Sequence, residues 1–363
     1  MNRRQISAVF GAALLLMLIA GIGIGLGQSW STLKVSMQRL ESRILQRCTT
    51  HVEQTNITPI SHSTAVTAPS ITQTVTSRPS TNSIRFGIIG DYGKPSSNEG
   101  AVATMVHGWK PDFVITTGDN NYSAGNADCL DQDIGQYYSR YISPYHGDYP
   151  SVPGQNRFFP ALGNHDWEKG GLEAYLNYFP IQESVVNTGS SGNERYYDFI
   201  QGPVHFFAID SDPAEPDGTT VDSAQAAWLQ TALAASATPW QVVYFHHPPY
   251  SSSTVHGSHP YMQWPFAAWG ADIVLSGHDH TYERLAIDGV LYFVNGLGGK
   301  SIYPLGEPVA GSQVRYNDTY GAMLVEANAT QITLEFYAIA NGGTRIDQAL
   351  LSASSMQPKQ SSP

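Results

Sequence analysis

The chain has 363 residues, enough for one large domain or two smaller ones. Nineteen Lys and Arg against 30 Asp and Glu give a formal net charge of −11, which speaks against a general nucleic-acid or anionic-membrane surface. Only 13% of residues are charged while Gly, Pro and Tyr number 34, 22 and 20, which fits a loop-rich α/β protein better than a helical bundle. The two cysteines, Cys48 and Cys129, build neither a thiolate metal site nor a disulfide framework, and no bridge is expected within the core. With 12 histidines and a surplus of carboxylates, any metal site must use nitrogen and oxygen ligands.

Met1-Asn2-Arg3-Arg4 precedes Ile6–Leu26, 21 positions without a charge. That length suits a membrane-spanning helix, and the arginines before it favour a cytoplasmic N-terminus. A cleaved signal peptide is the competing reading. The long apolar run, with no clear Ala-x-Ala site after it, favours an uncleaved anchor. Either way, residues beyond 30 are expected outside the cytoplasm. Residues 31–83 read as a Ser/Thr-rich flexible linker, with a short amphipathic helix over 31–47 carried by Leu33, Met37, Leu40, Ile44 and Leu45.

The folded domain is expected over 84–345, with 346–363 as a disordered tail. Ile84–Ile89 reads as a strand ending in Gly90-Asp91-Tyr92-Gly93, followed by a helix over 99–108. Phe113–Thr117 is a second strand, ending in Gly118-Asp119-Asn120-Asn121-Tyr122. Strand, helix, strand at this spacing is a βαβ unit, which places functional groups at strand carboxyl ends. Residues 123–157 form a Tyr-rich excursion with a helix over 133–141, of the kind that makes a lid or a substrate rim. Phe158-Phe159-Pro160-Ala161-Leu162 leads to Gly163-Asn164-His165-Asp166 and a helix over 172–178. Strands over 195–200 and 204–209 precede an amphipathic helix over 223–235. Gln241–Phe245 runs into His246-His247-Pro248-Pro249, and Ile273-Val274-Leu275 into Gly277-His278-Asp279-His280. Residues 286–294, 322–327 and 332–339 read as strands of a second sheet.

Each of these strand ends alone reads as a turn-forming Asp beside Gly, or as loop histidines making ordinary hydrogen bonds. Together they carry Asp91, Asp119 with Tyr122, Asn164 with His165, His246, and His278 with His280. All are donors suited to Fe, Zn or Mn. Such a set can hold two metal ions if one carboxylate bridges them.

The order Asp-x-Gly, Gly-Asp-x-x-Tyr, Gly-Asn-His-Asp, Val-x-x-His and Gly-His-x-His resembles the metallophosphoesterase superfamily, and within it the small, tartrate-resistant branch of the purple acid phosphatases. The resemblance covers 84 to about 340. Two details favour the purple branch: Asp91-Tyr92-Gly93 lacks the Asp-x-His of many relatives, and Tyr122 follows Asp119. In that family a Tyr phenolate binds ferric iron. The resemblance implies a four-layer α/β sandwich, two mixed β-sheets flanked by helices, with a dinuclear site at the strand carboxyl ends. It implies Fe(III) held by Asp91, Asp119, Tyr122 and His280. A second metal, Fe(II), Zn(II) or Mn(II), would be held by Asp119, Asn164, His246 and His278, with Asp119 bridging. His165 and His256 match histidines that contact phosphate and assist the leaving group. His247 reads as a hydrogen-bonded neighbour, and His259 and Asn121 as rim residues.

The chemistry this implies is hydrolysis of a phosphate monoester by a metal-bound hydroxide, with a histidine protonating the departing alkoxide. No Gly-x-Ser-x-Gly elbow is present, which argues against a serine hydrolase. The expected substrates are phosphorylated small molecules or phosphoproteins; specific nucleic-acid binding is not expected, and membrane contact is expected only through the N-terminal apolar segment. Two other readings remain open: a phosphodiesterase or nucleotide-cleaving enzyme on the same centre, and a non-catalytic metal- or phosphate-binding surface protein. No strand pattern in 31–83 matches the extra N-terminal β-domain of the large plant forms.

Overall fold

Strand β1 (Ile84–Ile89) alternates its side chains, with Phe86 and Ile88 entering one apolar cluster and Ile89 another on the opposite face. It is the central strand of one of two sheets in a computed structural model that describes residues 83–122, 125–168, 171–179, 181 and 191–353. The membrane-span and linker readings of residues 6–26 and 31–82 lie outside the described residues. No helix among the described residues is long and apolar enough to cross a membrane.

Helix α1 (Ser97–Gly108) follows β1 and is capped by Ser96, whose hydroxyl accepts the Glu99 N–H at 3.1 Å. Strands β2 (Phe113–Thr116) and β3 (Phe158–Pro160) then pair in parallel beside β1. Short helices α2 (Asn164–Trp167) and α3 (Gly171–Tyr178) come next. The second sheet opens with β4 (Tyr197–Gln201) and β5 (Val204–Ala208). Helix α4 (Ala224–Ala235), β6 (Trp240–Tyr244), the short α5 (Phe266–Trp269) and β7 (Ile273–Ser276) follow. Strands β8 (Tyr282–Ile287), β9 (Val290–Asn295) and β10 (Ser312–Tyr316) complete that sheet in the order β10-β8-β9-β7-β6-β5-β4. The chain then returns to the first sheet through β11 (Gly321–Ala327), β12 (Gln331–Ala338) and β13 (Thr344–Ser352), giving β13-β12-β11-β1-β2-β3.

Both sheets mix parallel and antiparallel pairs. They pack face to face: Phe159 stacks on Phe199 at 4.1 Å and Phe86 meets Phe206 edge-on at 5.1 Å. The outer face of the first sheet is covered by α1 and the segment around Leu130–Ile142, and that of the second by α4 and α5. The four-layer α/β sandwich expected from the motifs is therefore the observed architecture. Because β1, β2 and β3 run parallel, as do β6 and β7, the loops after these strands carry all the donor-bearing motifs.

Several boundaries differ from expectation for identifiable reasons. The run 286–294 is not one strand but the β8–β9 hairpin, broken at Asp288-Gly289, where φ is 52° and 84°. That hairpin belongs to the second sheet while β11 and β12 belong to the first, so the three segments do not share a sheet. The tail expected from 346 onward instead begins with β13, which pairs with β12 as far as Ser352 because Ile346, Ala349 and Leu351 pack into the inter-sheet core. The helix expected over 133–141 is a π-turn, Asp131–Gly135, followed by short helical turns. Tyr138, Tyr141 and Ile142 of this excursion are buried against the first sheet's outer layer, making it a packed wall. Cys129 is buried and disulfide-bonded, where no bridge within the core was expected; the sequence's other cysteine, Cys48, lies outside the described residues.

Candidate metal centre

Each donor is delivered by a sharp departure from its strand. Three of the six described non-glycine residues with positive φ are donors: Asp91 at 54°, Asp119 at 53° and His278 at 67°. Backbone in this region is strained for such residues, and it turns the side chain inward at the strand's end. Glycines give the space: a Cβ on Gly277 would lie 2.5 Å from Asp91 Oδ2, and one on Gly118 2.6 Å from His246 Nδ1.

The donors fall into two triangles. In one, Asp91 Oδ1 lies 3.2 Å from the Tyr122 hydroxyl and 3.3 Å from His280 Nε2, with 3.3 Å between Tyr122 and His280. In the other, His246 Nε2 lies 3.1 Å from Asn164 Oδ1, 3.1 Å from His278 Nδ1 and 3.3 Å from Asp119 Oδ1. Ligand atoms of Asp91, Asp119 and His246 all lie within 4.8 Å of one another, so the triangles adjoin through Asp119 and Asp91. All seven expected ligands are thus brought together, and all but Asn164 are buried.

The surroundings fix which atoms face inward. His246 Nδ1–H donates to Thr117 O at 2.8 Å, which leaves the Nε2 lone pair for the centre. His280 Nδ1 meets Ser301 Oγ at 2.5 Å, and the ring stacks on Tyr303 at 4.1 Å. The His278 N–H donates to Asp91 Oδ2 at 2.9 Å, joining the first and last motifs. Tyr92 donates to Asn120 Oδ1 at 2.9 Å, while Asp166 accepts from Asn120 Nδ2 at 2.9 Å and Gly163 N at 2.8 Å. Three donor loops are clamped by that chain.

Burial pushes Asp119 up, but His246 and His165 outweigh it and hold the carboxyl well below the usual range. Burial likewise opposes a charged His246, yet Asp119 raises the imidazole to about 10. Burial, with Asp119 and Asp91, pushes the Tyr122 phenol up, and burial with His246 and His247 pushes His278 down. A cation among these atoms reverses that balance, because it favours every deprotonated donor. The set fits two metal ions on its chemistry: lone pairs of buried nitrogen and oxygen crowd to within about one hydrogen-bond length, an arrangement only protons or cations stabilise.

His165 packs against Tyr122 with 4.5 Å between ring centres; its Nδ1 is 3.3 Å from Glu168 Oε1. His256 is exposed and stacks on His278 at 4.0 Å, its loop held by N–H bonds from His256 and Gly257 to Asp279. Both proton-donor candidates therefore border the centre. His247 is a buried neighbour whose Nδ1 is 2.9 Å from Ser211 Oγ, as expected, but it also converges with His259 and His278, ligand atoms within 4.8 Å. Asn121 Nδ2 donates to Asn126 O at 3.0 Å, within its own loop. The sequence reading missed Ser301 and Tyr303, which support His280, and Lys300, whose ammonium lies 5.1 Å over the Tyr122 ring. Their only signal is position, directly after Gly296-Leu297-Gly298-Gly299.

The profile of the calcineurin-like phosphoesterase family matches residues 84–282, more than half the chain, and the chain belongs to that family. Within it, the relatives are purple acid phosphatases. Purple acid phosphatase 15 of Arabidopsis thaliana is 28% identical over 260 residues, covering 61% of this chain and 46% of that protein. Purple acid phosphatase 3 of the same plant is 27% identical over 289 residues, covering 70% and 75%. Human (Homo sapiens) tartrate-resistant acid phosphatase type 5 is 25% identical over 247 residues, covering 60% and 74%. The chain therefore spans about half the length of the first of these and about three quarters of the other two. Two solved structures share the fold at TM-score 0.59 and 18% identity. GAP50, the anchor in the inner membrane complex of Plasmodium, is matched over 77% of this chain and 91% of its own. Purple acid phosphatase PPD1 from yellow lupin (Lupinus luteus) seeds is matched over 75% and 54%.

Proposed function

We propose that this chain hydrolyses phosphate monoesters at a dinuclear metal centre, with Asp91, Asp119, Tyr122 and His280 holding Fe(III) and Asp119, Asn164, His246 and His278 holding a divalent ion. The observation that carries this reading is the paired crowding of lone pairs at 3.1–3.3 Å around Tyr122 and around His246. A phenol in that position separates this set from a general two-metal site. Two cations held there would supply Lewis-acid charge for the phosphoryl oxygens and would lower the pKa of a water.

The chain's own residues do the rest. His165, fixed by Glu168 and Tyr122, and His256, stacked on His278, flank the place where the ester would sit. A protonated imidazole on either side hands its proton to the departing alkoxide, which is worth roughly 10²–10⁴-fold. Thr117 O holds the tautomer of His246 and Ser301 orients the His280 ring, so that each turns Nε2 to the centre. The same fold serves an anchor in Plasmodium, so the fold alone does not decide for catalysis; what supports catalysis is the full ligand set with two flanking histidines. The apolar segment 6–26 would hold the domain outside the cytoplasm or be cleaved on secretion.

The test is hydrolysis of p-nitrophenyl phosphate against bis(p-nitrophenyl) phosphate by the purified, metal-loaded chain at acidic pH. Faster monoester turnover, abolished by His246→Ala, is the expected result. Preference for the diester would move the reading to a phosphodiesterase, and no turnover of either would favour a binding protein.

A further inference from the structure

The turn after β9 wraps the donor triangle around Tyr122. The Gly298 N–H donates to Gly90 O at 2.9 Å and the Lys300 N–H to Asp91 O at 3.1 Å. Ser301 Oγ meets His280 Nδ1 at 2.5 Å. The Tyr303 N–H donates to His280 O at 2.9 Å, and its ring stacks on the His280 imidazole at 4.1 Å. The Lys300 ammonium lies 5.1 Å over the centre of the Tyr122 ring. Residues 298–303 therefore reach Asp91, Tyr122 and His280, the three donors of that triangle.

Gly299 fixes where this turn sits. Its φ is 148°, and a Cβ there would fall 2.8 Å from Glu99 Cα and Cβ, so the backbone is pressed against the first turn of α1. Lys300 leaves that fixed point half-buried, its carbon stem against the protein and its charged end over the ring. Tyr122 itself is buried. Its hydroxyl, at the ring's edge, is the atom that meets Asp91 Oδ1 at 3.2 Å and His280 Nε2 at 3.3 Å. The triangle thus engages the edge of the ring and the ammonium its face. An aromatic face attracts a cation within about 6 Å, and a phenolate, which spreads a full negative charge into the ring, attracts it more strongly. Of residues 298–303 only Lys300 carries a charge.

We infer that Lys300 is a positioning residue that acts on the metal centre through Tyr122: its ammonium draws phenolate electron density back onto the ring and weakens the donor that Tyr122 offers to a ferric ion. The inference rests on the ferric–phenolate reading of the proposed function. A weaker donor would leave the bound ion more of its positive charge, which is what acidifying a water requires. Ser301 and Tyr303 orient the His280 ring, while Lys300 adjusts electronics from the same turn, as groups behind metal ligands commonly do.

The experiment compares visible absorption spectra of the iron-loaded full chain, Lys300→Met and Lys300→Arg, with metal analysis of each. Charge transfer takes an electron off the ring, and a cation over the ring opposes that. Lys300→Met is expected to move the band to longer wavelength by about 10 nm or more, the order that a unit charge at this separation produces, with iron content unchanged. Lys300→Arg keeps the charge and is expected to leave the band close to its original position. Lys300→Gln is the second uncharged variant, should Lys300→Met fold poorly. A band that stays in place without the charge, or that moves as far in Lys300→Arg, overturns the inference. Loss of iron from both uncharged variants also overturns it, by making Lys300 a structural support. A colourless unaltered chain is a different result: it overturns the ferric–phenolate reading, and this inference with it.

Discussion

Two regions of buried polar atoms lie on either side of the Asp91 loop, and they are built in opposite ways. At the histidine centre several donors are oriented by a second group: Thr117 O for His246, Ser301 for His280, the His278 N–H for Asp91 and the His165 N–H for Asp119. Around Glu99 the carboxyls of Glu99 and Asp133 and the Tyr138 phenol are also buried, and burial pushes each of them up toward its protonated form. The first arrangement pre-organises ligand atoms at fixed separations, as transition-metal chemistry needs. The second is kept in its neutral forms by burial, which needs no counter-charge.

The comparison breaks most severely at His246. His246→Ala removes the atom on which Asn164, His278 and Asp119 converge. Metal content is expected to fall and phosphomonoesterase activity to drop by at least about 10³-fold, since the charge that stabilises the transition state goes with the metal. Plasma-emission metal analysis alongside a p-nitrophenyl phosphate assay checks both; full activity in this variant would remove His246 from the centre.

A smaller loss, roughly 10²–10⁴-fold in kcat, is expected for His165→Ala or His256→Ala if either is the proton donor. It should be larger for an alkyl phosphate than for p-nitrophenyl phosphate, whose leaving group needs no proton. Equal losses on both substrates would assign that histidine to binding instead.

Asp166→Ala sharpens the point about orientation. It leaves the N–H groups of Asn120 and Gly163 and the Asn120 amide without their acceptor. Each stranded buried donor costs about 1–3 kcal/mol, so a loss of at least about 3 kcal/mol is expected in urea unfolding. A change within error would show that water replaces the carboxylate.

The gentlest test concerns Glu99, whose carboxyl is raised well above the ordinary range, first by burial and then by Asp133. A raised folded-state value stabilises the fold fully below the unfolded value of about 4.3 and loses that contribution as pH climbs through the folded value. Glu99→Gln, which keeps the shape without titrating, should therefore gain stability relative to the unaltered chain between pH 5 and pH 8. A difference independent of pH would mean that Glu99 titrates normally.

The donor loops were legible in the sequence because each couples an apolar run to a Gly and a metal-type side chain, and parallel strands bring such ends together. What was not legible depended on pairing at long range. β13 shows weak alternation, yet its Asp347 accepts from Tyr282 and Arg284, just past His280, and so anchors the last motif. The hairpin turn at Asp288-Gly289 is a readable signal, but apolar residues on both sides hid it within a single run. His259 is remote in sequence from His278 and reads as a rim residue; only the fold brings it beside His247 and His278. The inward-facing Glu99 is invisible for a related reason. A glutamate in the first turn of a helix reads as an ordinary capping residue, and only the competing Tyr137 contact turns it inward.

The central claim is that Tyr122 makes this a ferric–phenolate centre and not a general two-metal site. The most direct measurement is a visible absorption spectrum of the purified chain with metal analysis on the same sample, repeated for Tyr122→Phe. The account predicts two metal ions per chain, at least one of them iron, and a visible tyrosinate-to-iron charge-transfer band that disappears in Tyr122→Phe while some hydrolysis remains. Two bound metals with no visible band, or a band that persists at full strength in Tyr122→Phe, would contradict it.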